Sequence, residues 1–283
     1  MLTRPERGFT LIELLVAMVL LGIVSASIYQ LLVNNQRIYR QQIQRIELND
    51  NMRSAIAILP GEFRELNASD VLGSDIIAMG DSAITYKVMR NLYFVCAQGV
   101  GGQIELDTGL IGLRGLDTDT DSLLIFADSA SNKRTDDRWI HVNLSAVSTG
   151  NNCPGGKPSR RVTFAPSVVV SDSIMPGSPV RGFEIVETRS YGDASNNLWL
   201  GQRRWGKSGG WGTIQPIVGP LQSGGLRFQF FDRAGAITAD RTQVARISIM
   251  VIGRTTQPVQ LSVGSIGYVV DTMVTHVALR NNR

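Results

Sequence analysis

The sequence predicts an α+β fold in which a long N-terminal helix, transmembrane in its first half and amphipathic in its second, packs on an antiparallel β-rich globular domain. Three observations predict it. Residues 9–33 carry Glu13 as their only charge. From Tyr39 to Leu66 apolar residues recur every three or four positions. Beyond residue 84, apolar or alternating runs are separated by Asn-, Gly-, Pro- and Asp-rich turns, with no helix-length pattern between them.

The composition permits such a fold. The 283 residues are 43% hydrophobic and 18% charged, which suits a folded core and excludes a disordered chain. A formal charge of +4 does not by itself imply nucleic acid as a partner. The two cysteines, Cys96 and Cys153, are too few for a disulfide framework or a four-cysteine zinc site. They are either free thiols or one bridge, and a bridge gains weight outside the cytoplasm.

A helix over the 25 residues from Phe9 to Val33 is about 37 Å long, more than the roughly 30 Å hydrocarbon layer of a bilayer. The basic leader MLTRPERG precedes it. No small-x-small cleavage site follows an apolar run of secretory-signal length, Ala26 and Ser27 coming nearest. Arg4 and Arg7 stand before the run while Arg37, Arg40 and Arg45 stand after it, so positive charges do not decide the orientation.

A short basic leader ending in Gly8, then Phe9, Thr10, Leu11, Ile12, Glu13 and an unbroken Leu/Val/Ile helix, resembles the type III signal of type IV prepilins and type II secretion pseudopilins. The resemblance implies a pilin-like subunit with a leader at 1–8, a transmembrane and filament-core helix at 9–33, an amphipathic helix at 34–66 and a β-rich domain at 67–283. It implies that a prepilin peptidase cuts between Gly8 and Phe9 and methylates the new amine of Phe9. Glu13 takes the place of the family's near-constant glutamate, whose partner is the terminal amine of a neighbouring subunit. Physical chemistry agrees, because a charge in hydrocarbon costs roughly 2.5–3.5 kcal/mol and is kept where a partner relieves it and sets register. The plainer reading has Glu13 snorkel to the membrane interface.

In the second half of the helix, Tyr39, Ile43, Ile46, Met52, Ile56, Leu59, Phe63 and Leu66 are expected to form the face that meets the sheet. Arg37, Arg40, Gln41, Gln42, Gln44, Arg45, Asn49 and Arg53 read as its solvated side. Pro60 and Gly61 should kink or end the helix, although GEFREL keeps the spacing.

Strand-like runs start at 84, 92, 122, 139, 161, 183, 198, 226, 244 and 268, and indicate antiparallel sheet rather than βαβ units. Residues 128–138, 148–160 and 206–224 read as the irregular pieces. GFEIVETRSYGDASNNLWLGQRRWG, GGLRFQFFDRAGAITADRTQVARISIMVIGR and DTMVTHVALRNN are similar to the carboxyl half of PilW-like minor pilins and GspJ-like minor pseudopilins. That similarity implies a low-copy subunit in a tip or priming complex.

Little in the chain suggests catalysis, and no enzyme or cofactor is expected. His141 and His276 lie in strand-like runs far from any cysteine pair. NCPGGKPS fails as a phosphate loop because Pro158 stands where Ser or Thr is required. Asp117, Asp119 and Asp121 alternate as at the start of a calcium loop, but Ser122 replaces its glycine, and an acidic turn is the favoured reading over a metal site. Arg203, Arg204 and Lys207 alternate with Trp199, Trp205 and Trp211, a pattern suited to single-stranded nucleic acid or a glycan. A twisted hairpin with its aromatics packed inward is the favoured account.

The expectation is therefore a minor pilin-like structural subunit of a type IV pilus. It would sit in the bacterial inner membrane as a single pass with its globular domain in the periplasm, then join other subunits in the filament through its N-terminal helix. The alternatives are a minor pseudopilin of a type II secretion system, and a membrane-anchored binding protein or adhesin that does not assemble.

Overall fold

In the computed structural model, residues 8–68, 74–98, 101–109, 111–112, 114–128, 138–165, 174–262 and 264–279 are described. The expected leader, apart from Gly8, and most of the expected irregular piece at 128–138 lie outside them. One helix, α1 (Leu11–Arg64), is followed among the described residues by β1 (Ile76–Met79), β2 (Ala83–Gln98), β3 (Gln103–Asp107), β4 (Ile111–Gly112), β5 (Asp121–Ala127), β6 (Arg138–Thr149), β7 (Ser159–Ala165), β8 (Pro179–Gly192), β9 (Leu198–Gly206), β10 (Gly210–Trp211), β11 (Gln215–Phe231), β12 (Arg246–Arg254), β13 (Val259–Ser262), β14 (Ser265–Gly267) and β15 (Val270–Ala278). The chain divides into two compact units, residues 1–49 with 255–269 and residues 50–254 with 270–283.

In the larger unit, α1 buries Met52, Ala55, Leu59 and Phe63 completely. Their spacing of three and four keeps them on one stripe of a helix that turns about 100° per residue. Phe63 meets Tyr86 of β2 edge-on at 5.1 Å and Phe228 of β11 at 5.9 Å. This anchors the apolar helix on an antiparallel sheet, the expected α+β arrangement.

Tyr39 and Ile46, expected on the same stripe, are 65% and 60% exposed. The six residues from Ile46 to Met52 turn the helix through about 600°, which leaves the two side chains about 120° apart. A second correction concerns Pro60, through which α1 continues to Arg64. Pro60 lacks only the N–H that would meet the Ile56 carbonyl, while Leu59 and Phe63 on either side of it are fully buried.

The sheet under the helix runs β1–β2–β8–β9–β11–β12–β15, all antiparallel. β11 occupies part of the stretch expected to be irregular at 206–224. Its Pro and Gly residues are absorbed by register shifts on both sides, near Val218 and between Leu221 and Leu226. Val218 and Leu221 are 2% exposed, so burial holds the strand despite its poor propensity.

β2 and β8 belong to a second structure as well. Residues 95–98 of β2 pair with β3, and β3 pairs in turn with β7, β7 with β6, β6 with β5 and β5 with β8, which pairs back onto residues 83–94 of β2. Six strands thus close into a barrel, leaving no free edge around the ring. Its interior holds Tyr93, Val95, Ile104, Leu123, Ile125, Val142, Leu144, Val162, Phe164 and Val180, an apolar core supplied by alternate residues of each strand. Cys96 of β2 is bonded to Cys153 in the β6–β7 connection, with Cα atoms 5.3 Å apart.

Candidate functional site

Glu13 lies in the first turn of α1, where backbone N–H groups lack intrahelical partners. Thr10 and Glu13 satisfy two of them. The Glu13 N–H donates to Thr10 Oγ1 at 3.3 Å, while Glu13 Oε2 accepts from the Thr10 backbone N–H and hydroxyl, each at 3.1 Å. This is a capping box, and its carboxylate also faces the positive end of the helix dipole. Its signal, Thr-x-x-Glu before an apolar run, lies in the sequence itself.

Gly8 and Phe9 stand just before the helix with no regular structure, and Phe9 is 88% exposed. The bond between them is accessible and free of helical hydrogen bonds. From Leu11 to Leu32 the apolar side chains are uncovered all round the helix, Leu14 being 51% and Leu31 62% exposed. Such a surface requires a bilayer or other apolar helices against it.

The polar groups of the acidic turn are engaged from within the chain. Arg114 grips the fully buried Asp121 with two hydrogen bonds, of 2.5 and 2.8 Å, and Asp121 also accepts from the Asp117 N–H. The Lys207 ammonium donates to the carbonyls of Thr118, Asp121 and Leu144 at 2.5–3.0 Å. Asp119 accepts from the Ser208 N–H. Among the described residues no three His, Cys, Asp or Glu side chains are grouped to hold a metal ion.

The basic and aromatic residues near 205 are likewise engaged. Arg203 pairs with Glu187 and stacks on Trp211 at 4.7 Å, and Trp211 meets Trp205 edge-on at 5.3 Å. Trp199 donates to Asp193. Arg204 approaches Glu184 at 3.4 Å. Lys207 is spent on the acidic turn, and burial pushes its pKa down. His141 packs on the Phe183 ring, and burial likewise lowers its pKa. His276 is exposed on β15.

Sequence reasoning missed a buried charge cluster where the sheet and barrel share strands. The fully buried Glu184 of β8 accepts from Arg90 at 2.6 Å and from Arg114 at 2.9 Å, and Arg90 reaches Glu62 of α1 at 3.1 Å. Burial works against the charge on Arg90, but the Glu184 hydrogen bond and the nearby Glu62 carboxylate outweigh it and hold its pKa above the ordinary value. Beside the cluster lies a cavity of about 730 Å³ lined by Glu62, Glu65, Lys87, Arg90, Trp139 and Arg181 among others.

Residues 3–29 match a family model described as the prokaryotic N-terminal methylation motif. The match takes in residues 3–8 of the leader, the Gly8–Phe9 bond, the capping box and most of the apolar run, and marks a type IV prepilin/pseudopilin-like protein. No curated protein and no solved structure matches the chain.

Proposed function

We propose that this prepilin/pseudopilin-like chain is a low-copy structural subunit of a type IV pilus. A prepilin peptidase cuts it between Gly8 and Phe9 and methylates the Phe9 amine. The chain waits in the inner membrane as a single pass with its β-domain in the periplasm, and then enters the filament. Its work is assembly, not catalysis.

One observation carries the reading: an apolar helix exposed on all sides begins with a carboxylate directly after an accessible Gly8–Phe9 bond. In a bundle of such helices Glu13 would be buried, and the freed amine of Phe9 on a neighbour is the cation that relieves it. A place at the filament end is supported by the barrel built beside the sheet, which adds bulk that an end subunit accommodates more readily than an internal one.

The deciding experiment is intact-mass measurement after expression with and without a prepilin peptidase. Loss of residues 1–8 with gain of one methyl group, only when the peptidase is present, is expected. An unchanged mass in both would leave a membrane anchor that does not assemble.

A further inference from the structure

In the smaller unit, β13 and β14 form a hairpin held to the helix by two hydrogen bonds. Gln44 Oε1 accepts from the Gln257 N–H at 2.9 Å, and Gln41 Nε2 donates to the Gln260 carbonyl at 2.7 Å. The hairpin strand therefore advances from residue 257 to 260 as the helix is followed back from 44 to 41, toward the apolar segment. Gly264 of the turn and Ile266 of β14 border a pocket with Arg37, Arg40 and Gln41.

Gln41 is eight residues beyond Val33, or about 12 Å along the axis, and Ser262 is two strand residues, about 7 Å, beyond Gln260. The tip thus comes within about 10 Å of the level where the apolar run ends. The headgroup layer on each side of a bilayer is roughly 5–8 Å thick, and interfacial segments bury apolar side chains about 5–10 Å into it.

The side chains at the tip suit that layer. Leu261 is 53% and Ile266 75% exposed, and Tyr39 on the adjoining helix is 65% exposed. Tyr39 at this level matches the aromatic belt of membrane proteins, and Arg37 and Arg40 match anionic headgroups.

We infer that the β13–β14 hairpin is a second membrane contact, its tip seated in the headgroup layer of an anionic phospholipid bilayer beside the point where the helix emerges. The inference rests on the membrane-anchored reading above. The hairpin would fix the rotation of the helix in the bilayer and be withdrawn with it on assembly.

The test labels the full chain in bilayer discs of phosphatidylethanolamine and phosphatidylglycerol. With Cys96 and Cys153 bonded and no free cysteine present, a nitroxide can be placed singly through Leu261→Cys, Ile266→Cys, Leu20→Cys or Asn49→Cys. Labels at 20, 261 and 266 are expected to be more accessible to oxygen than to an aqueous nickel chelate, and the label at 49 the reverse. If 261 and 266 behave as 49 does while 20 stays in lipid, the hairpin lies in water and the inference fails with the anchor intact. If 261 and 266 are shielded from both reagents, a second copy covers them and the lipid contact is overturned. An aqueous label at 20 overturns the anchor and the hairpin contact together.

Discussion

Thr10 and Glu13 accept hydrogen bonds from each other across the first turn of α1, at 3.1–3.3 Å. The carboxylate that a neighbour's amine would bind is therefore already occupied within its own chain. Assembly then exchanges one partner for another, or shares the carboxylate between both.

The two roles separate on substitution. Glu13→Gln retains a capping box, since glutamine serves at that position, but removes the charge. It should abolish incorporation into sheared filaments while the membrane fraction holds a normal amount of protein. Thr10→Val should cost the helix about 1 kcal/mol of capping and leave incorporation intact. Normal filaments from Glu13→Gln would reduce Glu13 to a cap.

Glu184 is the hub of the buried charge cluster, contacted by Arg90, Arg114 and Arg204. Glu184→Ala leaves these guanidinium groups without their shared carboxylate, and should lower the urea-unfolding free energy by about 3–5 kcal/mol. A loss below 1 kcal/mol would show that water or Glu62 replaces it.

The Cys96–Cys153 bond closes a loop with a sequence separation of 57 residues. On the chain-entropy account, constraining a loop of that length in the unfolded state is worth about 4 kcal/mol. Cys96→Ser with Cys153→Ser should shift the urea midpoint down accordingly, and reduction of the unaltered protein should do the same. Unequal shifts would point to strain or packing introduced by the serines.

Stability should fall in acid through Glu105. Burial alone would raise its pKa, but hydrogen bonds from Ser159 and Arg161 outweigh it and hold the carboxyl below its ordinary value of 4.5. The folded protein therefore binds this proton less readily than the unfolded chain. The stabilisation is complete above about pH 4.5 and is lost as pH falls through the lower folded value. Asp193, held below 3.8 by the Trp199 side chain and the Asn197 N–H, acts in the same direction. Urea unfolding between pH 6 and 3 should be steeper for the native protein than for Glu105→Gln, and equal slopes would exclude Glu105 as a source.

The features legible in the sequence were those carried by neighbours along the chain. The apolar run, the cleavage motif and the stripe ending at Leu59 and Phe63 are read within a few helical turns. Ile46 leaves that stripe because the six residues from it to Met52 break the spacing of three and four. The run through Val218 and Leu221 was hidden because Gly219 and Pro220 oppose strand propensity, and only burial against neighbouring strands restores it.

By itself, the sequence determined the membrane-length helix, the processing signal, the carboxylate at its head and the antiparallel β character of the rest. Tertiary structure alone decided that β2 and β8 serve a sheet and a barrel at once, that Cys96 meets Cys153, that Arg114 and Arg203 pair with acids of their own chain, and that Lys207 donates to backbone carbonyls. The reason is physical: alternation along a strand specifies which face is buried, but not which distant strand will pair with its edges. That choice is made only when the whole set of apolar faces closes over a common core.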